Sequence, residues 1–409
     1  NADVEIPDRM KDGYGINEHL IRYAYEEGVD TILTCDNGIA AVEQTKLAKS
    51  LGMTILITDH HEVQEEVPPA DAVVNPRQAD CPYPFKHLCG AAVAYKVICC
   101  LYEAYGIPKE ETEEFLEFAG FATVGDVMDL IGENRILVKE GLKRLNHTQN
   151  VGMASLIRAC GLEEKEIKSY HIGFVLGPCI NAGGRLDTAK RSLNLLLQKD
   201  RAKADVMAAE LKTLNDERKD MTQTGAEEAI EWIEKEGRSQ DKVLVVYLPD
   251  CHESLAGIIA GRIRERYNKP VFVLTDSIDG VKGSGRSIEA YSMFEEMSKC
   301  KELYTKYGGH PMAAGLSLPK ENVEKFRTFL NEHTTLTEED FIPKITIDVP
   351  MPIGYITEHL IEELSALEPF GKGNEKPLFA EKNLNILSMR ILGKNRNTLK
   401  MQVRSQHGT

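Results

Sequence analysis

The stretch Ile57-Thr58-Asp59-His60-His61-Glu62 closes an apolar run with an acid and two adjacent imidazoles. Such residues are poor core material and good ligands for metal ions and phosphate. Two more acids stand in comparable places. Asp36 closes the apolar run 31–35, and Asp126 sits in the apolar setting Ala122-Thr-Val-Gly-Asp126-Val-Met-Asp129-Leu130. A buried carboxylate there is costly unless it is paired or metal-bound. Carboxylates with one imidazole and no thiolate favour Mn²⁺ or Mg²⁺ over structural zinc. A pair of such ions bridged by an aspartate is a general device for phosphodiester hydrolysis: it activates a water and neutralises the leaving oxygen.

Each of these residues also has a plainer reading. Asp36 before Asn37-Gly38 suits a helix cap, Asp126 a turn or a lysine partner, and His60-His61 a surface loop. The plain readings weaken together, because independent caps need not all fall at strand ends in one half of a chain. A second set of residues suits phosphate more than metal. Gly177-Pro-Cys-Ile-Asn181-Ala-Gly-Gly-Arg185-Leu186, Ser284-Gly285-Arg286-Ser287 and Gly308-Gly309-His310 combine glycine with Asn, Ser, Arg or His. Glycine lets the backbone approach an anion closely. Ordinary loops would look the same. His252 reads more simply as the start of a helix. Cys81, His87 and Cys89 lack a fourth ligand and read as incidental side chains.

These residues need elements to hold them. Residues 31–35 and 53–57 read as strands and 39–51 as the helix between them, stopped by Gly52. That is a β-α-β unit with parallel strands, whose ligands sit beyond the carboxyl ends. Asp36 and His60 both fall there. Helices are expected at 89–105 and as one long connector over 190–236, a stretch rich in Lys, Glu, Ala, Leu and Gln, and 114–130 is another mostly apolar stretch. A second α/β block starts at 242–247. It continues with a helix at 255–267, a strand at 271–274, a glycine-rich stretch at 280–287, a helix near 290–300, a loop at 307–311 and a helix at 321–333. From Pro343 short strands at 345–349, 377–379, 384–387 and 398–403, with a helix near 357–366, suggest the beginning of a small β-barrel. The expected class is therefore α/β, with a parallel-sheet domain at 1–190, a connecting helix at 191–237, a smaller α/β domain at 238–340 and a partial barrel at 341–409.

Composition narrows the functional classes. The 409 residues predict two or three domains. A net charge of −15 argues against a surface coated for duplex DNA, though not against nucleic acid in a local groove. No stretch has the apolar length of a membrane span, and no signal-peptide pattern opens the chain. The nine cysteines include no C-x-x-C pair and read as free thiols of a cytoplasmic protein. The chain begins Asn1-Ala2 without a methionine and stops just after strand-like residues, so both ends read as cut.

Asp59-His60-His61, Asp126, GPCINAGGRL and GGHPMAAG, in that order, resemble the DHH phosphoesterase superfamily and, within it, the RecJ family of single-strand-specific 5′→3′ DNA exonucleases. The opening segment 6–15 and the barrel-like end fit as well. The resemblance spans essentially the whole chain. It implies that Asp36 is a bridging metal ligand, that His60 is a ligand supported by Asp59, and that Asp126 is the last carboxylate ligand. His61 would contact the scissile phosphate, and Asp59, His61, Asp36 and Asp126 would form the catalytic set. Asn181 and Arg185 match positions near the substrate phosphate. Ser284, Arg286, Gly308, Gly309 and His310 match the DHH-associated domain, and the barrel matches an OB-fold.

The resemblance further implies two divalent ions, Mn²⁺ or Mg²⁺, and single-stranded DNA threading a cleft between the two main domains. The products would be 5′-mononucleotides, in DNA repair and recombination. The enzyme would be a cytoplasmic monomer with no membrane contact, and its candidate protein partners are a helicase and a single-strand-binding protein. The family's first motif, Asp-x-Asp-x-x-Gly, is absent, and its place would lie upstream of Asp3. Part of the metal site is thus expected to be missing, with weak or no activity in the chain as it stands. Two rivals are a DHH phosphodiesterase of short oligonucleotides or cyclic dinucleotides, and a non-catalytic single-strand-binding scaffold. The OB-like end argues against the first, and the retained acids and histidines against the second.

Overall fold

A computed structural model describes residues 2–7, 15–278, 280–393 and 396–405. Most of the opening segment 6–15 therefore lies outside the described residues. The chain divides into two compact units, Asn1–Ile180 with Ser192–Ala209 and Thr346–Thr409, and Asn181–Arg191 with Glu210–Ile345.

The first unit opens with α1 (Glu18–Glu26), β1 (Thr31–Cys35), α2 (Val42–Ser50), β2 (Thr54–Thr58) and β3 (Ala72–Val74). The three strands form one parallel sheet in the order β1-β2-β3, with Cys35 opposite Thr58. The β-α-β unit is thus as expected, with its helix starting later, at Val42. Ile55 and Ile57 of β2 alternate into a core with Ile21, Ala48 and Met53. Helices α3 (Gly90–Ala104), α4 (Leu116–Gly125), α5 (Gly132–Leu145) and α6 (Val151–Ala159) follow.

Next come the single turn α7 (Ser169–His171), a π-helical turn at Ile172–Leu176, and α8 (Gly177–Leu186). The GPCINAGGRL run is therefore a helix and not a loop. Pro178 comes directly after the π-helical turn, where the widened backbone accommodates its missing N–H within a helical run continuous from Ser169. Cys179 and Ala182 are fully buried, and packing overrides the poor helix propensity of the glycines.

The connector expected as one helix over 190–236 is two, α9 (Lys190–Leu197) and α10 (Arg201–Lys235). The Gln198 side chain accepts hydrogen bonds from the N–H groups of Lys199 and Asp200, and Asp200 accepts from the N–H of Lys203. These side chains satisfy backbone donors that a continuous helix would use, so the helix stops and restarts.

The second unit holds β4 (Leu244–Tyr247), α11 (Glu253–Tyr267), β5 (Val271–Ser277), β6 (Gly280–Arg286), α12 (Met293–Ser298), β7 (Lys306–His310), β8 (Ala313–Leu318) and α13 (Val323–His333). Its five strands run in the order β4-β5-β6-β8-β7, with β4 and β5 parallel and the rest antiparallel. Val245, Phe272 and Leu274 enter one core, while Leu244, Val246, Val271 and Val273 enter the other. A sheet buried on both faces explains why these strands read as unbroken apolar runs.

The glycine-rich stretch at 280–287 and the loop expected at 307–311 are largely strands β6 and β7. Gly283 and Gly285 face the first core. A Cβ on Gly285 would lie 2.6 Å from Met293 Sδ and 2.7 Å from the Phe272 ring, so packing requires the glycine.

In the last segment β9 (Val349–Pro350) pairs with β10 (Phe379–Ala380), α14 (Glu358–Ser365) lies between them in sequence, and β11 (Asn385–Leu392) pairs with β12 (Thr398–Arg404). Only the end of the expected strand 345–349 is a strand. No closed barrel occurs among the described residues.

Candidate metal centre and phosphate-facing sheet

The carboxyl ends of β1 and β2 carry the first set of site residues. The parallel ladder runs one step past the strands, with the N–H of Asp36 donating to Thr58 O (3.0 Å) and the N–H of Asp59 donating to Val74 O (3.0 Å). Asp36 then turns out of the sheet with φ +63°, a left-handed conformation that aspartate tolerates better than most residues. Its side chain meets His60, whose Nε2 lies 2.9 Å from Asp36 Oδ1 and 3.6 Å from Asp126 Oδ2. The His60 ring is buried, and its Nδ1 has no hydrogen-bond partner among the described residues. Only Nε2 connects this ring to polar neighbours, and it points at two carboxylates.

Asp126 ends α4. Its N–H donates to Ala122 O, and the N–H groups of Val127 and Met128 donate to Val124 O and Thr123 O. This is a helix stop of the kind that normally uses glycine in the left-handed position, but Val127 occupies it with φ +56°. A β-branched residue is strained there, and such strain concentrates at functional sites. The apolar sequence around Asp126 predicts a buried carboxylate. Instead its side chain is about half exposed, because the helix ends there. Partial burial and the neighbouring Asp36 charge push its carboxyl up, against the pull of His60 and His61. A carboxylate at the negative end of a helix dipole, beside another carboxylate, calls for a cation.

Asp59 is fully buried and engages four partners. Its Oδ1 meets His61 Nδ1 (2.7 Å) and accepts from the N–H groups of His60 and His61, and its Oδ2 accepts from the N–H of Ile39 (2.9 Å). Burial alone would raise this carboxyl, but those hydrogen bonds outweigh it and hold it at about 2. Asp59 thus holds His60 by its backbone N–H and orients the ring of His61. The bond to Asp59 in turn raises His61 above the usual imidazole range, against partial burial. The His61 side chain is exposed, and its Nε2 is not the nitrogen bonded to Asp59.

Two supporting residues escape a reading of sequence alone. Asn75, buried just past β3, donates from Nδ2 to His61 O (2.9 Å). The strand before it has three residues, too short to signal itself. Gly90 opens α3 directly against Asp36, and an added Cβ would fall inside the Asp36 carboxylate. Among the described residues, Asp36, His60 and His61 form the one group of three whose ligand atoms all lie within 4.8 Å of one another. Cys81, His87 and Cys89 form no such group. Cys89 instead packs in the core with its Sγ 3.4 Å from Thr123 Oγ1.

The second set lies in the second unit. Ser284 and Gly308 flank Gly315 of β8, and Arg286 and His310 flank Ala313. Opposed residues share a sheet face, so these four side-chain positions lie on one face, away from Gly283 and Gly285. Gly309 has φ +150°, and a Cβ there would press on Ala314. Arg185 Nη1 donates to Ser254 O (3.0 Å) in the first turn of α11. Gly257 of the same helix leaves room for Arg286, whose Nη2 would lie 2.8 Å from an added Cβ. Asn181 is exposed on α8. His252 is the N-cap of α11, accepting from the N–H of Ser254, as its plainer reading held.

Comparison with known proteins shows what the chain resembles. Residues 1–125 match the DHH family N-terminal domain, 240–335 the DHHA1 domain and 347–409 the RecJ OB domain. The single-stranded-DNA-specific exonuclease RecJ of Escherichia coli (strain K12) is 33% identical over 416 residues, covering 96% of this chain and 71% of that protein. The chain belongs to the RecJ family. The RecJ exonuclease of Bacillus subtilis (strain 168) is 40% identical over 99% of this chain, which spans 51% of that protein's length. Among solved structures, RecJ of Thermus thermophilus in complex with Mn²⁺ superposes with a TM-score of 0.83 at 30% identity, over 94% of this chain and 56% of that one. An exonuclease RecJ bound to manganese gives 0.70 at 30% identity, over 82% and 83%.

Proposed function

We propose that this chain carries the core of a metal-dependent 5′→3′ exonuclease that hydrolyses single-stranded DNA to 5′-mononucleotides in repair and recombination. The observation that carries the reading is the convergence of Asp36 and Asp126 on His60 Nε2. Two carboxylates and an imidazole, with no thiolate among them, fit Mn²⁺ or Mg²⁺, the ions named for the solved RecJ structures. Asp36, His60 and Asp126 would hold the ions. When bound, such ions supply an activated water and neutralise charge on the leaving oxygen.

The chain's own residues then divide the remaining work. Asp59 fixes the His61 ring through Nδ1, leaving Nε2 to contact the scissile phosphate. Asn75 holds the backbone carbonyl of His61 and so fixes where that ring stands. In this reading Ser284, Arg286, the Gly308-Gly309 backbone and His310 grip nucleotide phosphates from the second unit, and Arg185 and Asn181 serve the same substrate. The OB segment would add contacts to the strand. The enzyme would act as a cytoplasmic monomer, supplied with single strands by a helicase and a single-strand-binding protein.

The test is digestion, by the full-length protein that contains this chain, of single strands blocked at either the 5′ or the 3′ end, with Mn²⁺, and with Asp36→Ala as control. The expected result is digestion that needs a free 5′ end and falls roughly a thousandfold in the variant. Digestion that ignores the 5′ block, or persists in the variant, overturns the reading.

A further inference from the structure

The first unit contains a groove whose lining runs through the residues on either side of Asp126 and that none of the site residues above explains. Val124, Gly125, Val127 and Met128, which bracket Asp126, line one end of it. Its volume is about 1540 Å³. That exceeds the roughly 300–1,000 Å³ of a small-molecule pocket and suits a polymer. One wall is α5 and the stretch from Lys165 to Phe174, and the other is the segment 365–376.

The second wall is firmly tied. Arg135 Nη2 donates to Ala366 O (3.0 Å) and Glu368 O (2.9 Å), Lys168 Nζ pairs with Glu368 (3.0 Å), and the N–H of Leu130 donates to Lys372 O (2.7 Å). The groove is therefore built before any ligand arrives.

Its lining has two features that choose a ligand. Tyr170 and Phe174 stand stacked, ring centroids 4.9 Å apart, yet are 63% and 68% exposed. Phe174 is carried by the π-helical turn Ile172–Leu176, a distortion that recurs at functional sites. Six lysines line the groove against three glutamates, in a chain whose net charge is −15. Lys139, Lys165 and Lys376 have no carboxylate partner among the described residues. Aromatic faces for bases, beside ammonium groups for phosphates, are how proteins hold single strands.

We propose that this groove seats the single strand on the 3′ side of the cut, with Tyr170 and Phe174 as a stacking platform for one base and Lys139, Lys165 and Lys376 facing its phosphates. The proposal rests on the exonuclease reading and adds residues to it. Val127, forced into its strained turn beside Asp126, lies where the strand passes from the ions to the platform.

The test is a coupling measurement in EDTA, so that nothing is cut. Fluorescence anisotropy follows binding of 5′-phosphorylated oligothymidylates that carry one abasic residue at successive positions. At one position the missing base should cost the unaltered chain ~5- to 150-fold in affinity. The Tyr170→Ala/Phe174→Ala variant should show that loss already with the intact strand and lose nothing more at that position. Tyr170→Phe/Phe174→Tyr should restore the unaltered pattern, which a merely unfolded groove would not. Lys139→Ala/Lys165→Ala should flatten the slope of log affinity against log salt by about 1.4, two phosphates' worth for a single strand. If the ring-less variant binds like the unaltered chain, or loses the same factor at every abasic position, the groove assignment is wrong. If that happens while the unaltered chain still digests single strands with Mn²⁺, the exonuclease reading stands alone. If the unaltered chain neither digests nor binds them, both fall.

Discussion

In the first unit Asp36, Asp59, His60 and Asp126 all lie just past the end of a strand or helix, whereas in the second Ser284, Arg286 and His310 still belong to paired strands β6 and β7, the last two as their final residues. The ends are free to take unusual backbone, and they do: Asp36 and Val127 both have positive φ. The strands are not free, and their glycines answer to packing. The same residue type therefore means different things in the two places. Gly90 keeps space for a functional carboxylate, while Gly285 keeps space for Phe272 and Met293. A ligand-holding site can offset strain with bound charge, whereas strand positions packed on a core, such as Gly285, have no such compensation.

Single methyl groups can break this contrast. Gly90→Ala should push the Asp36 carboxylate aside and weaken Mn²⁺ binding by ~10- to 100-fold, the usual cost of disturbing a group that positions a ligand. Thermal unfolding should change little by comparison. Gly285→Ala should do the reverse, costing about 1–3 kcal/mol of stability by overpacking against Phe272 while leaving Mn²⁺ affinity intact. Measuring both quantities on both variants tests whether the two glycines differ as described.

A smaller effect lies in α4, the helix that delivers Asp126. Glu117 is buried, and burial raises its carboxyl above the usual range even though Thr148 Oγ1 donates to it (3.0 Å). A raised acid favours the folded state only while it is protonated. Its contribution is complete below the unfolded pKa near 4.5 and is lost as pH rises through the folded value. Glu117→Gln, which keeps the acceptor, should therefore raise Tm slightly at pH ~7 and have no such benefit at pH ~4.

The sequence showed the metal side of the molecule more clearly than the sheet side, for physical reasons. Residues 31–35 and 53–57 are compact apolar runs with a helix between them, so the parallel crossover and the acids at its ends could be read directly. The three-residue strand before Asn75 left no periodic trace, and Gly90 is silent because its role is an absent side chain. GPCINAGGRL and the glycine-rich strands have the composition of loops, but burial of Cys179, Ala182 and Phe272 outweighs local propensity. The break at Gln198–Asp200 came from side chains capturing backbone N–H groups, which helix-forming composition hides.

The central claim is that Asp36, Asp126 and His60 are held together to bind divalent ions. Calorimetric titration of Mn²⁺ into the unaltered chain and into His60→Ala tests it most directly. The account predicts saturable binding in the first and its loss, by ~100-fold or more, in the second, since a ligand itself is removed. Equal Mn²⁺ affinity in the two proteins would contradict it.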